Sequence, residues 1–130
     1  MDIRRDLPIS PDAAKLARET LDGWLSDLVG DETASGVRLA ASELVENAVR
    51  YAGLKADDVI RLSGVATKDV VHIEVEQPTS TVEVKVVAAG ERGPLEGGFG
   101  LRIVEQIATK WGVRPETPGA VWFEVDRDVI

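Results

Sequence analysis

The sequence predicts an α+β fold, a two-layer α/β sandwich with its helices packed on one face of a mostly antiparallel sheet. Three observations lead there. The first half holds two long stretches with apolar residues at helical spacing. The middle holds short alternating stretches joined by a tight turn. A glycine-rich loop then leads into one more helical stretch and a last alternating one. Helices and strands that come in runs, instead of strictly alternating, favour this architecture. The 130 residues fit one domain with its own core, and neither a repeat nor a low-complexity linker divides them.

The elements follow in order. Ser10-Pro11-Asp12 has the make-up of a helix start, with Ser as N-cap and Pro at the first helical position. Ala14, Ala17, Leu21, Trp24, Leu25 and Leu28 then mark helix 1 near residues 11–29, stopped by Gly30. Helix 2 is expected from Thr33 to Ala52, with Gly53 as its C-terminal stop. Its apolar stripe is Val37, Ala40, Ala41, Leu44, Ala48 and Ala52. Val59 to Ala66 and Val70 to Glu76 read as strands about a Lys68-Asp69 turn. Thr81 to Val87 alternates like a further strand, and residues 88–98 form a loop rich in glycine and charge. Helix 3 is expected from about Gly98–Leu101 to Trp111, and a closing strand from Ala120 to Asp126. Trp24, Trp111 and Trp122 are expected in the core, and His72 on the outward side of its strand.

Charge and composition narrow the chemistry. A formal net charge of −8 disfavours direct nucleic-acid binding, which depends on neutralising phosphates, and suits a basic protein partner or simple solubility. With no cysteine and a single histidine, thiolate chemistry and histidine metal clusters are excluded. No apolar run is long enough to span a membrane, and no secretory pattern follows the charged start. A cytoplasmic location is expected.

Two constellations carry chemistry. On a helical wheel, with each residue advancing about 100°, Asn47 lies about 40° from Glu43, and both border the apolar stripe. A carboxylate there can act as a general base. A carboxamide oxygen can ligate Mg²⁺. The same pair also fits the solvated edge of an amphipathic helix. Glu46 and Arg50 read as a surface i,i+4 ion pair. The second constellation is Glu96-Gly97-Gly98-Phe99-Gly100-Leu101, leading straight into helix 3. Glycines let backbone amides close on an anion at a helix N-terminus; a plain turn before a helix fits as well.

Taken together, these segments carry a resemblance. Ser42-Glu43-Leu44-Val45-Glu46-Asn47-Ala48-Val49-Arg50-Tyr51-Ala52 resembles the asparagine-box helix of histidine-kinase-like ATPases, and more narrowly that of bacterial anti-sigma-factor serine kinases. Gly97-Gly98-Phe99-Gly100-Leu101-Arg102-Ile103-Val104 resembles their second glycine box. Trp111-Gly112-Val113 and Gly119 to Val125 are similar to their closing segments. The resemblance runs from Leu7 to Val125 and implies a single domain of that ATPase fold over residues 1–130.

By this resemblance Glu43 would activate a water or a substrate hydroxyl, and Asn47 would hold the Mg²⁺ of a bound ATP. Gly97, Gly98 and Gly100, with the amides of Phe99 and Leu101, would cradle the phosphates, and residues 81–96 would form a lid. The implied partner is an anti-anti-sigma-type protein or a sigma factor, and the family also forms homodimers. Two positions depart from the family pattern. Gln77 stands where an Asp usually accepts from the adenine amino group, so the acceptor is neutral. Ala120-Val121 stands where a Thr is usual. Glu76, one residue away, should face the other side of its strand. An enzyme that phosphorylates a protein partner and a binding module with a degenerate adenine site are both consistent with these residues. A purely structural domain accounts for neither box.

Overall fold

The computed structural model describes residues 2–51, 55, 57–77, 98–114, 116 and 118–127, with backbone only at 51 and 98–101. The chain runs β1 (Asp2–Pro8), α1 (Ala13–Leu25), α2 (Asp31–Tyr51), β2 (Val59–Ala66), β3 (Val70–Gln77), α3 (Gly98–Ile107), β4 (Lys110–Arg114) and β5 (Gly119–Asp126). The five strands form one sheet in the order β1-β2-β3-β5-β4, with every pairing antiparallel. This is the α+β sandwich the patterning predicts.

Alternation along the strands explains the two layers. On β2 and β3 every second residue is buried, and Ile60, Leu62, Val71, Ile73 and Val75 point to the helices. Val121, Phe123 and Val125 do the same on β5. They meet the helical stripe of Ala17, Leu21, Leu25, Val37, Ala40, Ala41, Leu44 and Val45. Burying such side chains contributes about 1.5–3 kcal/mol each, which is the main force closing the sandwich. The helices also seat closely on the sheet and on each other. A Cβ on Gly64 would come within 2.7 Å of the Trp24 ring, so glycine lets α1 lie down on β2.

Several boundaries differ from the sequence reading, each for a local reason. Helix α1 starts at Ala13, because Ser10 sits in a turn of its own: its hydroxyl accepts from Asp12 N at 3.1 Å and its carbonyl from Ala13 N at 3.1 Å. Helix α2 starts two residues early, with Asp31 and Glu32 complementing the dipole of its first turn. Helix α3 ends at Ile107 and not at Trp111. Thr109 N donates to Glu124 O at 2.8 Å, which turns the chain into β4. Strands β1 and β4 were not anticipated. Both are sheet edges, β1 being mostly charged and β4 only five residues long, as suits edges that avoid further pairing. The Lys68-Asp69 turn is as expected, with Thr67 N donating to Val70 O at 2.9 Å. The expected strand at 81–87 and the loop that follows lie outside the described residues.

The helix-free face of the sheet carries charge. Arg61 bridges Asp6 and Glu76 at 3.0 and 3.2 Å, and Arg114 bridges Glu74 and Glu76 at 3.3 and 2.9 Å. His72 faces outward as its strand position predicts, yet it is half-buried. Its Nδ1 lies 2.9 Å from Glu124 and its Nε2 3.1 Å from Glu74, and its ring stacks on Trp122 with centroids 5.4 Å apart. Trp122 is therefore on this outer face and not in the core. Its indole lies over Gly112, where a Cβ would come within 2.7 Å. Trp24 and Trp111 do pack against the core.

Candidate functional site

Helix α2 is the frame of the site. Its buried side, Val37, Ala40, Ala41, Leu44, Val45 and Ala48, is fixed between the sheet and α1. Glu43 and Asn47 stand at the margin of that side, and both are half-buried. One helical turn separates them, so they point the same way. Arg50 and Glu46 lie farther out and pair with each other at 3.0 Å, as their i,i+4 spacing predicts. Leu39 is exposed, in keeping with its place off the apolar stripe. Ser42 is buried and donates to Leu39 O at 2.9 Å, which occupies its hydroxyl within the helix.

Glu43 has the electrostatics of a proton acceptor. Its pKa lies above the ordinary 4.5, chiefly because partial burial penalises the charged form. Repulsion from Glu46 raises it further, and Arg50 and Arg18 oppose the rise. Among the described residues no group hydrogen-bonds to its carboxylate. Arg18 comes from α1, and sequence reasoning missed it. A cation twenty-five positions upstream gives no spacing signal, and only the packing of α1 on α2 brings it to bear on Glu43.

Helix α3 places the glycines. Ile107, its last residue, rests against Gly36 near the start of α2, where a Cβ would lie 3.3 Å from the Ile107 side chain. Helix α3 packs against α2, with Val104 fully buried. Gly98 stands nine residues before Ile107, so at 1.5 Å per residue it lies about 13–14 Å along α3 from the Gly36 contact. Gly98, Phe99, Gly100 and Leu101 form the first turn of α3, the part of a helix whose amides lack intrahelical acceptors. Gly97 lies outside the described residues, as does the expected lid.

Gln77 closes β3 on its helix-facing side and is 7% exposed. Its register partner on β5 is Gly119, which puts no side chain beside it. Glu76 faces the opposite side, held by Arg61 and Arg114. The alternation read from the sequence is thus observed, and Gln77 is the residue that shares the helix-facing layer with α2. Ala120, one of the two closing-segment residues that depart from the family pattern, is fully buried on β5. Among the described residues no group of three or more His, Cys, Asp or Glu could hold a metal by itself. No described helix is long and apolar enough to cross a membrane.

Comparison with known proteins agrees with this fold. The family described as histidine kinase-like ATPase domain matches residues 7–122. Among solved structures the chain resembles the crystal structure of the RsbU and RsbW domains of Rv1364c from Mycobacterium tuberculosis, with a TM-score of 0.73 and 18% identity. That match covers 99% of this chain and 34% of the other, so the chain spans about a third of it. It also resembles the histidine kinase domain of the blue-light activated histidine kinase EL346 from Erythrobacter litoralis, with a TM-score of 0.53 and 21% identity over 74% of this chain and 44% of that one. At these identities the likeness is one of fold. No curated protein matches the sequence significantly.

Proposed function

This chain belongs to the histidine kinase-like ATPase domain family, and from that membership we infer that it is a regulatory protein that binds Mg²⁺-ATP and transfers its terminal phosphoryl group to a serine or threonine of a protein partner. The observation that supports this reading is the Glu43–Asn47 turn of α2, half-buried at the margin of the helix against which the glycine-led α3 packs. Amides of Gly98, Phe99, Gly100 and Leu101, with Gly97, would hold the phosphates. The Asn47 carboxamide oxygen suits Mg²⁺, a hard cation that takes one or two protein ligands and completes its shell with phosphate oxygens and water. Bound there, the ion would neutralise charge on the phosphates.

Glu43 would take the proton of the attacking hydroxyl. Its oxygen forms the new bond to the terminal phosphorus, the bond to the bridging oxygen breaks, and ADP leaves. A carboxylate with a raised pKa is a better proton acceptor near neutrality than an ordinary one. Gln77, buried at the end of β3, is proposed as the contact to the base. The partner proposed from the resemblance is an anti-anti-sigma-type protein or a sigma factor. A cytoplasmic site of action and a homodimer belong to the same proposal.

A second reading, a nucleotide-gated binding module that sequesters its partner without phosphorylating it, draws on Gln77, because a neutral contact holds adenine less firmly than a carboxylate. Calorimetric titration with Mg²⁺-ATP tests the shared premise. Ligand at about a hundredfold excess over Kd stabilises the fold by about 2.7 kcal/mol. Neither heat nor a thermal shift at millimolar Mg²⁺-ATP would overturn nucleotide binding. Transfer of labelled phosphate to a partner then separates the kinase from the module.

A further inference from the structure

The helix-free face of the sheet carries a continuous chain of charged side chains. Asp6, Arg61, Glu76, Arg114, Glu74, His72 and Glu124 each touch the next. Imidazole is the side chain among these types that changes charge nearest neutrality. Both nitrogens of His72 meet a carboxylate: Nδ1 lies 2.9 Å from Glu124 on β5, and Nε2 lies 3.1 Å from Glu74 on its own strand. The ring is half-buried and held flat by the stack on Trp122. A neutral imidazole has one N–H and one lone pair, so it can donate to only one of the two. Both contacts together require the imidazolium. The remaining neighbours leave that count unchanged. Val65 and Ser63 face this stretch from β2 and are uncharged. Lys110 stands opposite Glu124 on β4, and Asp126 opposite Val70 on β5; among the described residues neither pairs with His72 or Glu124. The two carboxylates differ in one respect. The second oxygen of Glu74 lies 3.3 Å from Arg114, which reaches over from β4 and also holds Glu76 at 2.9 Å. Among the described residues Glu124 has only His72.

We propose that His72 is a proton switch that decides whether Glu74 is shared with the ring or belongs to Arg114 alone. Protonated, the ring donates from both nitrogens and links Glu74 to Glu124, adding a side-chain tie between β3 and β5. When the ring releases one proton to solvent, a single N–H remains. It stays on Nδ1, toward Glu124, because that carboxylate has no other cation to offset its charge. Nε2 then turns a lone pair on Glu74, and two acceptors at that distance repel. Glu74 is free to leave the ring because Arg114 already holds its second oxygen, and a guanidinium takes a carboxylate through two parallel N–H bonds. Loss of the proton therefore adds one negative charge to this face and passes Glu74 to the edge strand β4. The switch lies on the opposite side of the sheet from Glu43 and Asn47, so it stands apart from the function proposed above.

His72 is the only histidine of the chain, so proton–nitrogen correlation NMR of the full-length protein reports its ring directly across pH. On the acid side both ring nitrogens should carry protons. On the alkaline side Nε2 should lose its proton and Nδ1 keep it. Glu124→Ala removes the carboxylate that holds Nδ1–H, so the proton of the neutral ring should move to Nε2, toward Glu74. Arg114→Ala leaves Glu74 without its second cation and should shift the proton the same way, with thermal melts confirming that each variant is folded. The two variants are independent, so either one suffices if the other fails to fold. A neutral ring in the unaltered protein with its proton on Nε2, or divided evenly between the nitrogens, would overturn the proposal. So would a ring that never loses its second proton while the protein stays folded, or a proton position unchanged in the folded variants.

Discussion

Replacing Glu43 by Gln separates proton transfer from binding and also probes the charge itself. The substitution keeps the volume of the side chain. Glu43 is only half-buried at the margin of α2, so no cavity opens and the fold should persist. A general base acts in the transition state, so its loss should lower the single-turnover rate by about 10²–10⁴, or about 2.7–5.4 kcal/mol of barrier, and leave nucleotide affinity within about twofold. Stability should move the other way. The carboxyl pKa is raised in the folded protein, first by desolvation and then by Glu46. The folded form thus holds this proton more tightly than the unfolded chain, and protonation stabilises the fold. The unaltered protein is relatively most stable below the ordinary value of 4.5 and loses that advantage as pH rises through the elevated folded value. Glu43→Gln mimics the protonated form, so it should melt higher than the parent at pH 7, with the gap closing as pH falls below about 4.5. Calorimetry, rapid-quench kinetics with a partner or ATP hydrolysis, and melts across pH supply the readouts. Intact binding with an unchanged rate would refute the role as base. A variant that melts lower than the parent at pH 7 would refute the electrostatic account.

Asn47→Ala should abolish the Mg²⁺-dependent part of ATP binding, whereas Arg50→Ala, whose guanidinium pairs with Glu46 on the exposed side, should leave it nearly intact; equal losses in paired titrations would misplace the cleft. Gly112→Ala should destabilise the fold without touching the site, because its Cβ would lie 2.7 Å from Trp122 and push that indole against His72. Overpacking of this kind costs about 1–3 kcal/mol. At an unfolding entropy of about 2.1 cal/mol/K per residue, that lowers Tm by roughly 4–11 °C. An unchanged melting curve would mean that Trp122 moves aside freely.

Each element that could be read from sequence had a periodic signal of its own. The apolar stripe from Val37 to Ala48 locates α2 and sets Glu43 and Asn47 at its margin without any tertiary information. The strict alternation of β2 and β3 places Gln77 and Glu76 on opposite faces before any packing is known. Edge strands lack that signal. In β1 only Ile3 and Leu7 are apolar, and in β4 the pair Trp111 and Val113 continues what looks like the pattern of α3. Both are strands because a neighbour in the sheet supplies their hydrogen bonds.

Local sequence therefore determined the periods, the polarity of each face, the glycine-rich start of α3 and the family resemblance, because all of these depend on neighbours within a few residues. Tertiary structure decided what depends on distant ones. The packing of Ile107 on Gly36 sets the glycine-led α3 against α2, distant in sequence. The docking of α1 sets Arg18 to act on Glu43. Pairing of β3 with β5 moves Trp122 out of the core and onto His72. Electrostatics, stacking and burial act through space, and the pairing of distant segments that brings them into play leaves no period in the chain.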